Sequence, residues 1–182
     1  MPSWNNQPAV LYHGTDTAVL SPLIPNLHNL LNGFKIDLKR CRPDSDFGRA
    51  FYATTNEQQA REWANARVRQ ARNAIRPNLT TTAVLLTFPV DRSALAGLDT
   101  LCFVRPTADY YALVDDCRLG FPAHGRQPPK TAYDVVLGPV RMWPQKLVIF
   151  DGDQISFNTV AAIAILPEPT VSAIGQSQSG FI

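Results

Sequence analysis

His13, Tyr52, Trp63 and Gln154 are the residues whose type and placement ask for a chemical explanation. His13 stands inside the apolar run "AVLYHGT", directly before Gly14. A histidine there is either a hydrogen-bonded core residue or the lining of a cavity. Gly14 has no side chain to keep a ligand away from its N–H and C=O, so two backbone hydrogen bonds could read an amide. Tyr52 falls within "DFGRAFYATT" and, by strand alternation, shares a face with Gly48 and Ala50. Small neighbours beside a large ring leave a groove, filled by another element or by a flat ligand. Trp63 follows eleven residues later on a helical pattern, as core or as a second ring. Two rings around one planar cation are favourable, because aromatic faces attract positive charge. Gln154, in "DQISFNT", can hydrogen-bond but can neither carry charge nor take a proton.

The chain that must position these residues has 182 residues, 45% of them apolar, a length and composition for one domain with a proper core. A net charge of +2 does not by itself imply a nucleic-acid or membrane partner. The charge is uneven: Lys35, Lys39, Arg40, Arg42 and Arg49 form one basic cluster, and Arg61, Arg67, Arg69, Arg72 and Arg76 fall within sixteen residues. Such a run is a solvated helix face or a guide for an acidic partner. Cys41, Cys102 and Cys117 are odd in number and widely spaced, which indicates neither a disulfide framework nor a zinc site. His28 and His124 stand in loops without metal-ligand partners. The opening "MPSWNNQPAV" lacks a basic start and an apolar core, and no apolar run is long enough for a bilayer, so a soluble protein of the cytoplasm is expected, with no membrane partner.

Strands are expected at "AVLYHGT" (9–15), "GRAFYAT" (48–54), "AVLLTFPV" (83–90), "YDVVLGPV" (133–140) and "KLVIF" (146–150). The "DGD" at 151–153 has turn composition and predicts a hairpin with "ISF", which gives Asp151 and Asp153 turn roles. A helix should follow Thr54, capped by the T-x-x-E spacing of Thr54 and Glu57 or by Asn56. Its apolar face comprises Ala60, Trp63, Ala64, Val68, Ala71 and Ile75, and Pro77 ends it. Shorter helices are expected near "NLHNLLNGF", over 109–120 with Gly120 at the C-cap, and over 158–166. Residues 1–9 read as a lead-in, 10–166 as the domain, and 167–182 as a low-complexity, disordered tail. Strands without regular β-α-β alternation argue for an α+β fold with split, mainly antiparallel sheets and a few flanking helices. No G-x-G-x-x-G, Walker loop or G-x-S-x-G is present.

In order, the chain reads "LYHGT" (11–15), "CRPDSDFGRAFYATTNEQQA" (41–60), "YDVVLGPV" (133–140) and "QISFNT" (154–159). This order resembles the ADP-ribosyltransferase fold of the diphtheria-toxin and poly(ADP-ribose) polymerase type, and within it a branch of small bacterial and fungal domains. The resemblance covers about residues 10–166. It implies NAD as substrate and no metal. His13 would hydrogen-bond the adenosine-side ribose, Gly14 would present its backbone to the nicotinamide carboxamide, and Thr15 would complete that strand's cofactor-binding set. Tyr52 and Trp63 would sandwich the nicotinamide, and Arg49 or Arg42 would meet the pyrophosphate. Gln154 would occupy the place of the catalytic glutamate, with Asp151 or Asp153 as alternative sources of charge. Tyr133 and Asp134 would be structural.

The implied activity is mono-ADP-ribosyl transfer from NAD to a macromolecular acceptor, protein or nucleic acid. NAD glycohydrolase activity is one alternative. A catalytically weak or inactive module that binds NAD, ADP-ribose or only a partner is another. Without a carboxylate at 154, deprotonation of a ribose hydroxyl for chain elongation is disfavoured, so polymer is not expected.

Overall fold

The computed structural model of the chain describes residues 7–20, 35–76, 78–121, 124, 126 and 132–174. The protein is α+β, with two separate sheets and short flanking helices. The first sheet has the order β1-β3-β7, from β1 (Ala9–Asp16), β3 (Ala83–Val90) and β7 (Thr170–Ile174), all antiparallel. The second has the order β2-β6-β5-β4, from β2 (Phe51–Ala53), β6 (Val148–Phe157), β5 (Val135–Arg141) and β4 (Thr100–Cys102). Only its β4–β5 pair is parallel. The helices are α1 (Thr17–Leu20), α2 (Glu57–Arg72), α3 (Arg92–Ala96), α4 (Ala108–Arg118) and α5 (Val160–Ala164).

Burial explains the arrangement. The continuous apolar runs of β1 and β3 pair residue for residue, Ala9 with Val90 through Asp16 with Ala83. One face of this sheet meets Phe51, Ile155 and Phe157 of the second sheet in the main core. The other is covered by α2, whose Ala60, Ala64 and Val68 recur at four-residue spacing and pack on Ala83, Leu85 and Ile174. A third cluster, Phe47, Tyr110, Leu113, Val114, Cys117 and Val136, sits between the second sheet and α4.

Three expectations need correction, and one pair of alternatives is decided. The "DGD" segment makes no turn: Val148–Phe157 is one strand, and the β5–β6 connection lies at 142–147, closed by Met142 N–H on Leu147 O at 3.0 Å. The 167–182 tail contributes β7, because β3 would otherwise leave Ala83–Thr87 unpaired on one edge. The 48–54 strand shrinks to three residues, since Gly48 adopts φ +74° and turns the chain just before it. Asn56, not Thr54, caps α2, its side chain accepting from Gln59 N–H. That helix ends at Arg72, ahead of Pro77, which lies outside the described residues, as do His28 and the helix expected near "NLHNLLNGF".

Candidate functional site

Besides their shared core, the two sheets are joined by one backbone bridge among the described residues. Tyr12 and Thr54 exchange backbone hydrogen bonds, N–H to O at 2.8 Å in one direction and 2.9 Å in the other, as an isolated antiparallel bridge between β1 and the end of β2. Beyond it the strands part. Tyr12 directs its N–H and C=O away from β3, so Gly14, two residues on, directs its own the same way. That side of β1 is an open edge, and among the described residues no strand pairs with Gly14 there. Gly14 is glycine for a second reason. A Cβ at this position would lie 1.9 Å from Ala60 O and 2.9 Å from Ala64 N, so α2 presses on the strand at this residue.

His13 points to the other side of β1 and stacks on Phe51, ring centroids 4.5 Å apart. Its Nδ1 lies 2.6 Å from Tyr52 O. A carbonyl only accepts, so Nδ1 carries the proton. Burial lowers the His13 pKa to about 4, with the Tyr52 hydrogen bond opposing and the Arg67 charge adding to the shift. The ring is therefore neutral at physiological pH, with Nε2 a bare lone pair. No described residue donates to it, and a hydroxyl is its natural partner. Thr15, next on β1, is buried opposite Val84.

Tyr52 serves this site through its carbonyl. Its hydroxyl accepts from Phe47 N–H at 2.8 Å and donates to Gly48 O at 2.8 Å, and its ring joins the cluster under α4. Burial raises its pKa well above the usual tyrosine range. The groove expected beside it is filled by its own turn. Trp63 lies on α2, next to Ala64, and is 63% exposed, outside the core stripe. The structure does not bring the two rings together; Phe51 is the ring beside His13. Arg49 donates to Lys39 O and Cys41 O at 2.8 and 2.7 Å and braces that loop, while Arg42 pairs with Asp44 at the surface.

Gln154 lies on the opposite face of the second sheet from His13. It shares a sheet face with Ser156 and Tyr52, across β2-β6-β5 from Phe51. Its Nε2 donates to Asp46 Oδ2 at 2.7 Å and Pro139 O at 3.0 Å. Asp46 is the hub there: 3% exposed, it also accepts from Arg118 Nε and Nη2 at 2.9 and 2.6 Å and from Arg141 N–H at 3.2 Å. Gln154 helps to satisfy a buried carboxylate.

The carboxylate on the His13 side is Asp153. Alternation places it with Ile155 and Phe157, which face the main core. Its carboxylate accepts from Thr55 N–H at 2.9 Å and from the hydroxyls of Thr54 and Thr55. Thr54 is also the bridge residue to Tyr12, so it links Asp153 to the strand that carries His13 and Gly14. The sequence offers Asp151 and Asp153 alike as alternative sources of charge, but turn composition puts both in a turn; the β-formers on both sides of "DGD" are the signal for a strand. Asp151 is exposed and gives its carbonyl to Asn56 Nδ2 at 3.1 Å. His124 is not incidental: Tyr133 N–H donates to its Nδ1 at 3.1 Å, so its Nε2 donates to Phe47 O at 3.1 Å. Asp134 is structural as expected, its carboxylate accepting from Asp99 N–H at 3.0 Å and from the Thr159 hydroxyl.

Among the described residues no cluster of His, Cys, Asp or Glu is grouped to hold a metal ion, and no helix is long and apolar enough to cross a membrane. No curated protein and no solved structure matches the chain. A family model described as "Protein of unknown function (DUF3990)" matches residues 9–142, and the chain belongs to that family.

Proposed function

We propose that the protein is an NAD-dependent mono-ADP-ribosyltransferase acting at the parting of β1 and β2. The observation that carries the reading is the pairing of an open backbone edge at Gly14 with a neutral His13 whose Nε2 is a free acceptor. A carboxamide needs one acceptor and one donor side by side, and a ribose hydroxyl needs an acceptor. Both lie on β1, one residue apart. Trp63, exposed beside Ala64, offers a flat face to a pyridinium ring.

In this reading the C–N bond between ribose and nicotinamide breaks, and its electron pair goes to the ring nitrogen. Nicotinamide leaves neutral and needs no general acid. The sugar develops oxocarbenium character, which a fixed carboxylate stabilises. Asp153 takes this role in place of Gln154. The acceptor's nucleophile then bonds to the sugar carbon and loses its proton to water. With water as acceptor the same site is a glycohydrolase. One observation favours a module that binds without reacting: the Asp153 carboxylate already has three donors, all from Thr54 and Thr55.

Incubation with NAD labelled separately in its nicotinamide and adenosine halves tests these readings. The transferase releases nicotinamide and leaves the adenosine label on a macromolecule in cell lysate. Release with all adenosine label as free ADP-ribose selects the hydrolase. No release, with or without lysate, contradicts both enzymatic readings.

A further inference from the structure

The proposed reaction depends on where the Asp153 carboxylate points, and β6 alone does not fix this. β2 ends at Ala53, opposite Ile155, so β6 runs past its neighbour, and among the described residues no strand pairs with Asp153 on that side. We propose that Gln59, in the first turn of α2, is the positioning residue that holds Asp153, a role that rests on the functional reading above. Its side-chain amide stands in for the missing strand: Oε1 accepts from Asp153 N–H at 3.1 Å, and Nε2 donates to Asp153 O at 2.7 Å. This clamp needs a donor and an acceptor together at the end of a two-methylene arm. Glutamate has no donor there, and asparagine is one methylene short.

The surroundings fit the clamp. A Cβ on Gly152 would lie 3.1 Å from Gln59 Oε1 and 3.2 Å from Ile149 Cγ2, so a side chain there would crowd the amide. Asn56 accepts from Gln59 N–H at 3.1 Å through Oδ1 and donates to Asp151 O through Nδ2, tying the helix start to the same strand. On the same helix, Ala60, the next residue, and Ala64, one turn on, press on Gly14. α2 thus touches both Gly14 of β1 and the backbone of Asp153, whose carboxylate oxygens Thr54 and Thr55 hold from the loop that leads into the helix.

The test compares the full chain with its Gln59→Ala and Gln59→Glu variants by steady-state nicotinamide release and by amide hydrogen exchange at Asp153. Misplacing a reacting group by about 1 Å costs about 100-fold in rate, so kcat falls by about that factor. KM for NAD stays within about twofold, because His13 and Gly14 are untouched. Loss of one hydrogen bond accelerates exchange at Asp153 about fivefold. A general loosening of α2 would instead raise KM and speed exchange along the whole helix. Gln58→Ala is the control, since that side chain is exposed and bonds Glu62. An unchanged kcat in Gln59→Ala, or unchanged exchange at Asp153, overturns the proposal. If the wild type releases no nicotinamide, the functional reading falls on its own. The exchange measurement still decides whether Gln59 holds Asp153.

Discussion

Gln154→Glu separates two accounts of β6. If Gln154 stood at the catalytic position, a carboxylate there would raise the rate of nicotinamide release. The structure instead uses both of its amide hydrogens, on Asp46 Oδ2 at 2.7 Å and on Pro139 O at 3.0 Å. Losing a hydrogen bond to a charged partner costs about 1.5–3 kcal/mol, and a neutral one about 1 kcal/mol. An ionised carboxylate would also face Asp46, which is buried, so we expect a net loss of about 3 kcal/mol at pH 8. For a chain of this size that is a Tm drop of about 6–12 °C. The loss is pH-dependent. The introduced carboxyl has its folded-state pKa raised by burial and by Asp46, so the native state binds more protons than the unfolded state. Stability is then greatest below the ordinary glutamate pKa of about 4.3 and declines as pH rises through the raised folded value. Thermal melts from pH 5 to pH 8, with nicotinamide release measured in parallel, read both effects. A variant as stable as wild type at pH 8, or one with faster release, refutes this reasoning.

Three further outcomes are expected. Asp153→Asn keeps the shape but not the charge and should lower nicotinamide release about 10²–10³-fold, with a smaller effect on KM, measured by steady-state kinetics. Gly14→Ala drives a Cβ into Ala60 O and Ala64 N and should cost about 3 kcal/mol or more, read as a lower urea midpoint. His13, with its pKa lowered to about 4, binds fewer protons folded than unfolded, so its contribution to stability falls as pH drops from about 6.5 towards 4. His13→Gln should flatten that part of the pH–stability curve, and wild-type nicotinamide release should show no histidine limb between about pH 6 and 8.

The elements that the sequence located well are those whose local pattern and tertiary role agree. β1, β3 and β5 are continuous apolar runs between breakers, and α2 shows its Ala60, Ala64 and Val68 stripe at helical spacing. His13 and Gly14 were legible because a histidine and a glycine interrupt such a run. The misreadings arose where a distant partner decides. "DGD" has turn composition, yet β5 on one side and the Gln59 clamp on the other hold Asp153 extended. "TVSAI" lies among prolines and polar residues, and becomes a strand only because β3 has an edge for it. Alternation places Tyr52 beside a groove, whereas its hydroxyl closes the turn at residues 47–52, which alternation does not reveal. Trp63 was grouped with the helix core by spacing, whereas the alanine stripe beside it makes the contact and leaves the indole exposed.

NAD should bind at the parting of β1 from β2, and a crystal structure of the protein soaked with NAD shows whether it does. The nicotinamide carboxamide is expected on the Gly14 N–H and C=O, a ribose hydroxyl on His13 Nε2, and the Trp63 indole against the pyridinium ring. NAD bound elsewhere, or on the Gln154 and Asp46 face of the second sheet, would contradict this placement.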